Sequence, residues 1–226
     1  MTDLWIFGYG SLMWRPGFAY VEAVRARLTG YRRCFCLYTT NHRGTPARPG
    51  LVLGLDRGGV CDGVAYRVEP QLARATVDYL RVREQANGVY REAHLPVTLQ
   101  DEHKREVLAQ AYIVERAHPG YVGALPLIQQ ARLIRGARGK SGNNLDYLIN
   151  TLAHLDTLGI DEPELRRVMT LAGPHFARGG MEGLASPRVA ALLNVCRALP
   201  CDAPVSRPGS RRRFIYRRQI AEWHSG

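Results

Sequence analysis

One carboxylate on a predicted helix has the surroundings that acid–base chemistry requires. The spacing of apolar residues predicts a helix over 71–86. One face of that helix carries Ala73, Val77, Leu80 and Glu84. Because the first three are apolar, Glu84 is expected to point inward, where it is either the ion-pair partner of an arginine or a catalytic acid–base group. Asp78 and Arg83 lie off this face and are expected to face solvent, and Glu92 is expected on the wetter face of the following strand.

The stretch "WIFGYGSLMWRP" at 5–16 places two glycines, a tyrosine and a serine directly after an apolar run. The plain interpretation is a short buried strand and its turn. The alternative is a backbone cradle in which glycine leaves peptide N–H groups uncovered for a ligand. Met13 at the third glycine position excludes a dinucleotide fingerprint. The stretch also lacks the Gly-Lys-Ser/Thr of a phosphate loop and the Gly-x-Ser-x-Gly of a serine hydrolase.

A third stretch, "GKSGNNLDYL" at 139–148, brings glycine, serine and asparagine to the beginning of another predicted helix. The N–H groups at such an end attract an anion. Taken alone, the stretch favours a helix cap at Asn143 or Asn144, with Tyr147 in the core. The seven histidines are scattered and none falls in a zinc-type pair, so neither a metal site nor a cofactor is predicted.

The composition is that of an ordinary globular protein. Of the 226 residues, 46% are hydrophobic and 23% are charged. No stretch approaches the roughly 18 apolar residues of a membrane span, so no membrane partner is expected. Five cysteines without metal-ligand spacing indicate reduced thiols and a cytoplasmic protein. These features carry no prediction of oligomeric state.

The net charge of +11 raises the question of nucleic-acid binding. Of the 31 basic residues 29 are arginine, and six of these fall in the stretch 207–218. Without those six the net charge would be +5, which is ordinary for a domain. A solvated tail is therefore favoured over a nucleic-acid-binding patch, and nucleic acid is not the expected partner.

Strands are predicted first along the chain and helices afterwards. The predicted strands are 4–7, 31–38, 60–68, 90–99 and 106–114. After the helix at 71–86, further helices are predicted at 127–135, 145–158, 164–171 and 187–198. Pro163 fits the first turn of the third of these. This order indicates an α+β fold, a small closed antiparallel sheet with helices packed at one side. A glycine-rich joint at 173–186 separates a domain at 1–172 from a C-terminal, helical and arginine-rich appendage at 173–226.

Six stretches, taken in order, resemble the ChaC-type γ-glutamylcyclotransferases that act on glutathione. They are "FGYGSLMW" at 7–14, "HRGTPARPG" at 42–50, "GVAYRV" at 63–68, "YLRVRE" at 79–84, "YVGALP" at 121–126 and "GKSGNNLDYL" at 139–148. The resemblance runs over about 4–168, roughly three quarters of the chain. Six ordered matches are specific, whereas a lone Tyr-Gly-Ser-Leu would be a weak signal.

The resemblance implies a small mixed β-barrel with flanking helices and a metal-free, cofactor-free cyclisation of glutathione to 5-oxoproline and cysteinylglycine. It implies that Glu84 is the acid–base residue. The substrate-binding residues it implies are Tyr9, Gly10, Ser11, Leu12, Arg43 and Tyr147. Two alternatives stay open. The substrate could be another γ-glutamyl amino acid or a γ-glutamylamine, or the chain could be a basic nucleic-acid-binding protein with a non-catalytic barrel.

The chemistry of the residues agrees with this implied role. An α-ammonium group with a pKa of about 8 is mostly protonated at neutral pH, so its proton must be removed before the amine can attack. A glutamate whose pKa is raised by burial can take that proton and return it to the leaving amine. Peptide N–H groups around 10–12 can stabilise the tetrahedral oxyanion.

Overall fold

The computed structural model describes residues 3–173. The predicted helix at 187–198, the arginine-rich stretch at 207–218 and, apart from its first residue, the predicted appendage all lie outside the described residues. None of the helices within 3–173 is long and apolar enough to cross a membrane.

Five strands close into a barrel. They are β1 (Leu4–Gly8), β2 (Glu22–Thr39), β3 (Gly50–Val68), β4 (Tyr90–Leu99) and β5 (Glu106–Val114). The order around the barrel is β1-β3-β2-β4-β5. Neighbours are antiparallel except β1 and β5, which run parallel where the barrel closes. The sheet is therefore mixed, as the resemblance implies, whereas the pattern of elements alone predicted an antiparallel sheet. Local pattern cannot fix the direction of a pairing between strands so distant in the chain.

The apolar run at the start of the chain is explained by burial on both faces of β1. Trp5 and Phe7 pack among strand residues inside the barrel. Ile6 packs on the other face, in the cluster that includes helical residues. A strand covered on both sides carries a continuous apolar run instead of alternation.

The β2–β3 hairpin is longer than the predicted strands at 31–38 and 60–68, because pairing continues past the glycines that precede each of those ranges. The register shifts between Thr29 and Tyr31, around Gly30, whose φ is 87°. On the facing strand Gly58 and Gly59 have φ values of 96° and 79°. Glycine adopts such left-handed conformations at little cost, so these residues bend the hairpin without ending it.

Within residues 3–173, four helices and a short hairpin cover one side of the barrel. The helices are α1 (Pro70–Glu84), α2 (Leu127–Gly136), α3 (Asn144–Thr157) and α4 (Pro163–Ala172). The hairpin strands β6 (Arg138–Gly139) and β7 (Gly142–Asn143) directly precede α3. Pro163 lies in the first turn of its helix, as predicted. One apolar cluster joins the helices to the strands through residues such as Leu80, Ile134, Leu148 and Val168. The α+β prediction is confirmed.

A buried arginine ties β2 to three other parts of the chain. Arg33 is only 4% exposed. Its guanidinium donates to the backbone carbonyls of Tyr9 and Asp62 and pairs with the carboxylate of Glu162, just before α4. A buried charge is tolerated when it is paired and fully hydrogen-bonded in this way. The end of β1 is thereby fixed to the helical side of the molecule.

We expect Arg33→Met to lower the free energy of unfolding by about 3 kcal/mol, because it leaves the Glu162 carboxylate and the carbonyls of Tyr9 and Asp62 without their donor. The matched control is Arg27→Met on the same strand. Arg27 pairs with the Asp62 carboxylate at 2.7 and 2.8 Å, but its side chain is 51% exposed, so the expected loss is at most about 1 kcal/mol. Urea unfolding measures both, and equal losses would contradict this account of Arg33.

Candidate active site

A narrow cleft of about 40 Å³ opens where the end of β1, the end of α1, the start of β4 and α3 come together. Its lining consists of Tyr9, Gly10, Ser11, Leu12, Leu53, Glu84, Tyr90 and Tyr147. Six of the seven predicted site residues are therefore brought together here. Arg43 is not part of the lining, and Leu53 and Tyr90 were not predicted.

The residues 9–12, called here the 9–12 turn, follow β1 directly and continue into a single turn of 3₁₀ helix. Two buried side chains hold this segment by its carbonyl groups. Arg33 donates to the carbonyl of Tyr9. The hydroxyl of Tyr66 donates to the carbonyl of Leu12 at 3.1 Å and to the next carbonyl at 2.8 Å. With its carbonyls engaged, the turn has a fixed conformation.

The same segment leaves its N–H side open. The first N–H groups of a helical turn have no acceptor within that turn. A Cβ atom built on Gly10 would meet no atom within 4 Å, so its backbone faces open space at the cleft. The segment is thus both a turn after a buried strand and part of the cleft lining, with first peptide N–H groups that its own turn leaves without an acceptor. These donors suit a carboxylate or a developing oxyanion.

Glu84 is the last residue of α1, and its side chain is 17% exposed. It follows Leu80, which is buried, on the predicted face of α1. Ala73 and Val77 of that face are half-buried, and Thr76, which was not predicted, is buried. Burial raises the pKa of the Glu84 carboxyl, and the neighbouring Arg83 opposes that rise only in part. The C-terminal end of a helix also disfavours negative charge. The carboxyl is therefore biased toward accepting a proton.

Three phenols surround this carboxyl. Burial is the main cause that raises the pKa values of Tyr9 and Tyr90, and it raises that of Tyr147 to about 12. All three hydroxyls stay protonated at neutral pH and are able to donate. The hydroxyl of Tyr90 donates to the carbonyl of Leu53 at 2.8 Å. Sequence reasoning missed Tyr90 and Leu53, because strand alternation does not show which neighbour a ring meets across the barrel.

The capping interpretation is correct for the position of Asn143, the N-cap residue of α3, but neither asparagine makes a side-chain cap hydrogen bond. Asn144 is fully buried, and its side-chain amide accepts from the N–H of Leu51 at 2.6 Å and donates to the carbonyl of Leu51 at 2.7 Å. Asn143 occupies the N-cap position of α3, but its side chain contacts Asp146 at 3.1 Å instead of a helix N–H. Asn144 therefore docks the start of α3 on β3. This contact carries Tyr147, one turn later, to the wall of the cleft.

Arg43 lies against the Tyr147 ring and outside the lining of the cleft. Its guanidinium carbon is 5.5 Å from the ring centroid. It donates to the carbonyls of Ser141 and Asn143, the latter at 3.3 Å. Arg43 thus joins its own loop to the β6–β7 hairpin and supports the ring of Tyr147. A role in binding substrate stays a prediction for this residue.

The expectation that Arg83 faces solvent is wrong. Its side chain is 21% exposed, and its guanidinium donates to Ser11 Oγ at 3.0 Å and lies 3.0 Å from Glu84 Oε1. The helical spacing placed Arg83 off the apolar face correctly, but the chain after the 9–12 turn packs against that side of α1. This part of the chain lies close to α1 at Gly17, where an added Cβ atom would be only 2.1 Å from Tyr79 Oη. Asp78 is exposed, as predicted.

A larger cavity, of about 300 Å³, lies beside β3, β4 and β5, and a buried carboxylate, that of Asp56, is part of its lining. This carboxylate accepts hydrogen bonds from Arg116 at 2.7 Å, the N–H of Arg57 at 2.9 Å and Tyr121 at 3.0 Å. Burial alone would raise the pKa of Asp56, but these donors together lower it. The negative charge of Asp56 is therefore favoured, whereas burial disfavours that of Glu84. Within 3–173 no group of three His, Cys, Asp or Glu side chains is arranged to hold a metal ion.

Comparisons with known proteins show which sequences and structures the chain is similar to. A sequence model described as "ChaC-like protein" matches residues 4–171. The glutathione-specific gamma-glutamylcyclotransferase 1 of Mus musculus is 39% identical over 158 residues, 69% of this chain and 71% of that protein. The glutathione-specific gamma-glutamylcyclotransferase of Escherichia coli (strain K12) is 34% identical over 184 residues, 81% of this chain and 79% of that protein. The crystal structure of a glutathione-specific cyclotransferase from yeast is similar, with a TM-score of 0.68 and 25% identity over 76% of this chain and 96% of that one.

We expect Glu84→Gln to change stability in a pH-dependent way. A carboxyl whose pKa is raised on folding destabilises the folded state as pH rises from the unfolded-state pKa through the folded-state pKa. The variant should therefore match the original protein at acid pH and be more stable at neutral pH. Thermal unfolding across this range measures the difference.

Glu92→Gln is the matched control, because the pKa of the Glu92 carboxyl is shifted in the opposite direction to that of Glu84. The hydrogen bonds from Arg81, at 2.6 and 3.1 Å, lower the pKa of the Glu92 carboxyl. Its contribution to stability is present above the unfolded-state pKa and is lost as pH falls through the folded-state pKa. The Glu92 variant should be the less stable one at neutral pH. A Glu84 variant that loses stability at neutral pH in the same way would contradict the assignment of a raised pKa.

Proposed function

The chain belongs to the ChaC-like protein family, and we propose that it cleaves glutathione by intramolecular cyclisation, releasing 5-oxoproline and cysteinylglycine. One observation carries the proposal. A half-buried carboxyl with a raised pKa, Glu84, shares a cleft with the open N–H groups of the 9–12 turn. The relatives named as glutathione-specific cyclotransferases support the choice of substrate.

In the proposed reaction Glu84 moves protons between two nitrogens of the substrate. The substrate α-amine attacks its own γ-glutamyl carbonyl carbon, and the new C–N bond closes the five-membered ring. Glu84 accepts a proton from the attacking nitrogen and delivers it to the leaving nitrogen as the old C–N bond breaks. Two protons pass in all from the α-ammonium to the leaving amine, so neither water nor an oxidant enters the balance.

The 9–12 turn has the complementary role. The tetrahedral intermediate places negative charge on the former carbonyl oxygen, and peptide N–H groups on a rigid backbone stabilise such charge without reorganising. Arg33 and Tyr66 hold the carbonyls of this segment and so support that rigidity. We assign Tyr9, Ser11 and Tyr147 to contacts with the γ-glutamyl group, and Arg43 to the support of Tyr147.

Other substrates of the same chemistry form the first alternative. Any γ-glutamyl amino acid or γ-glutamylamine carries the amine and the carbonyl that this mechanism uses. The second alternative, a basic nucleic-acid-binding protein, has less support, because a purely structural barrel has no need of a raised-pKa carboxyl beside open peptide donors. The described cysteines, Cys34, Cys36 and Cys61, form no disulfide. They support a reducing compartment such as the cytoplasm as the place of action.

The test is product analysis with two substrates. Purified protein is incubated with reduced glutathione and, separately, with γ-glutamylalanine, and products are identified by mass spectrometry. We expect 5-oxoproline and cysteinylglycine from glutathione, with the dipeptide the poorer substrate. The proposed steps use no metal, so EDTA should not change the rate. Free glutamate in place of 5-oxoproline would mean hydrolysis and would overturn the proposal.

Glu84→Gln should lower 5-oxoproline formation by at least about 100-fold, because the amide keeps the shape of the side chain but cannot accept the ammonium proton. Glu92→Gln is the control and should stay near the rate of the original protein, since Glu92 pairs with Arg81 and is not in the cleft lining. An inactive Glu92 variant beside an active Glu84 variant would show that the acid–base role is assigned to the wrong residue.

A further inference from the structure

We propose that Arg83 is a positioning residue that joins the two halves of the candidate site, holding the 9–12 turn and the Glu84 carboxylate in one arrangement. The inference rests on the function proposed above for Glu84. The Arg83 side chain was expected to face solvent but lies between Ser11 of the 9–12 turn and the Glu84 carboxylate.

Each of the three nitrogens of the Arg83 guanidinium has a partner. Nη2 donates to Ser11 Oγ at 3.0 Å, and Nε lies 3.0 Å from Glu84 Oε1. Nη1 donates to the carbonyls of Arg15 at 2.6 Å and Pro16 at 3.0 Å. A planar fork with several donors in fixed directions can make these contacts together, whereas the single ammonium of lysine cannot reach them all. The position therefore requires arginine in particular.

Arg83 also supplies the positive charge that acts on Glu84. The other titratable groups that interact with Glu84 among the described residues are the phenols of Tyr9, Tyr90, Tyr112 and Tyr147, and burial raises the pKa of each. These phenols are neutral at physiological pH and do not offset a negative charge. Burial raises the pKa of Glu84, and Arg83 lowers it by charge and by hydrogen bonding. Without Arg83 the carboxyl would be ionised only at higher pH.

The same helix offers a matched comparison. Arg81 lies two residues earlier in α1 and also pairs with a carboxylate, that of Glu92, at 2.6 and 3.1 Å. Its side chain is 53% exposed, and neither partner is in the cleft lining. Arg81 therefore reproduces an arginine–carboxylate pair on α1 without contact to the proposed catalytic residues.

The pH profile of kcat/KM for glutathione tests the proposal. In Arg83→Met the acid limb, where the base becomes protonated, should move to higher pH. On that limb kcat/KM should fall by about tenfold for each pH unit of the shift. Both Arg83→Met and Arg83→Lys should raise KM, because neither side chain remakes the contact with Ser11. Arg83→Lys should nevertheless return the acid limb toward its original position, because it restores the positive charge. Arg81→Met should leave the limb in place.

A merely structural role predicts a different result. Arg83→Met would then lower the rate by the same factor at every pH, in step with its melting temperature, and the limb would not move. That result would overturn the proposal.

A carbon-detected NMR titration of ¹³C-glutamate-labelled protein separates this inference from the proposed function. The Glu84 resonance is identified by its absence in Glu84→Gln, and its midpoint should rise in Arg83→Met. If glutathione yields no 5-oxoproline, the proposed function fails, yet the titration still shows whether Arg83 controls Glu84. An unchanged midpoint would overturn the inference even in an active enzyme.

Discussion

The candidate site depends on keeping one carboxylate partly out of water while leaving it able to ionise. Burial and the end of α1 favour the neutral form of Glu84, and the adjacent guanidinium favours the charged form. A general base needs this near-balance, because a fully solvated carboxylate is too weak a base and a fully buried one never ionises. Barrel residues shield the Glu84 carboxyl from water, and α1 fixes the position of its backbone. The neutral phenols around the cleft add donors without adding charge.

Much of this arrangement follows from local sequence. The position of Glu84 on an apolar face and the strand-and-turn character of the 9–12 turn depend on periodicity within single elements. The residues that sequence reasoning placed wrongly are governed by neighbours distant in the chain. Arg83 is covered by a loop that a helical projection cannot include, and the Asn144 amide engages a β3 backbone 93 positions away. The parallel pairing of β1 with β5 is likewise a property of the closed barrel.

The arginine-rich composition has an explanation within the described domain. Although Arg33 and Arg83 each also pair with one carboxylate, several arginines use most of their donors on backbone carbonyls, which carry no net charge. These are Arg33 on Tyr9 and Asp62, Arg43 on Ser141 and Asn143, Arg83 on Arg15 and Pro16, and Arg135 on Leu171 and Ala172. A guanidinium used in this way joins loops to helices and strands and leaves the molecule with an excess of positive charge. Such an excess follows from how the fold is held together and needs no polyanionic partner.

The contacts of Arg33 set an order of events during synthesis. The 9–12 turn lies near the beginning of the chain, whereas the carboxylate that completes the environment of Arg33 belongs to Glu162, 129 positions after that arginine. A nascent chain exposes β1 and β2 long before α4 leaves the ribosome, and a domain folds as a unit. Until Glu162 emerges, the guanidinium has no acidic partner to balance its burial. The end of β1 is locked only in the last stage, so translation must reach α4 before the cleft acquires its final shape.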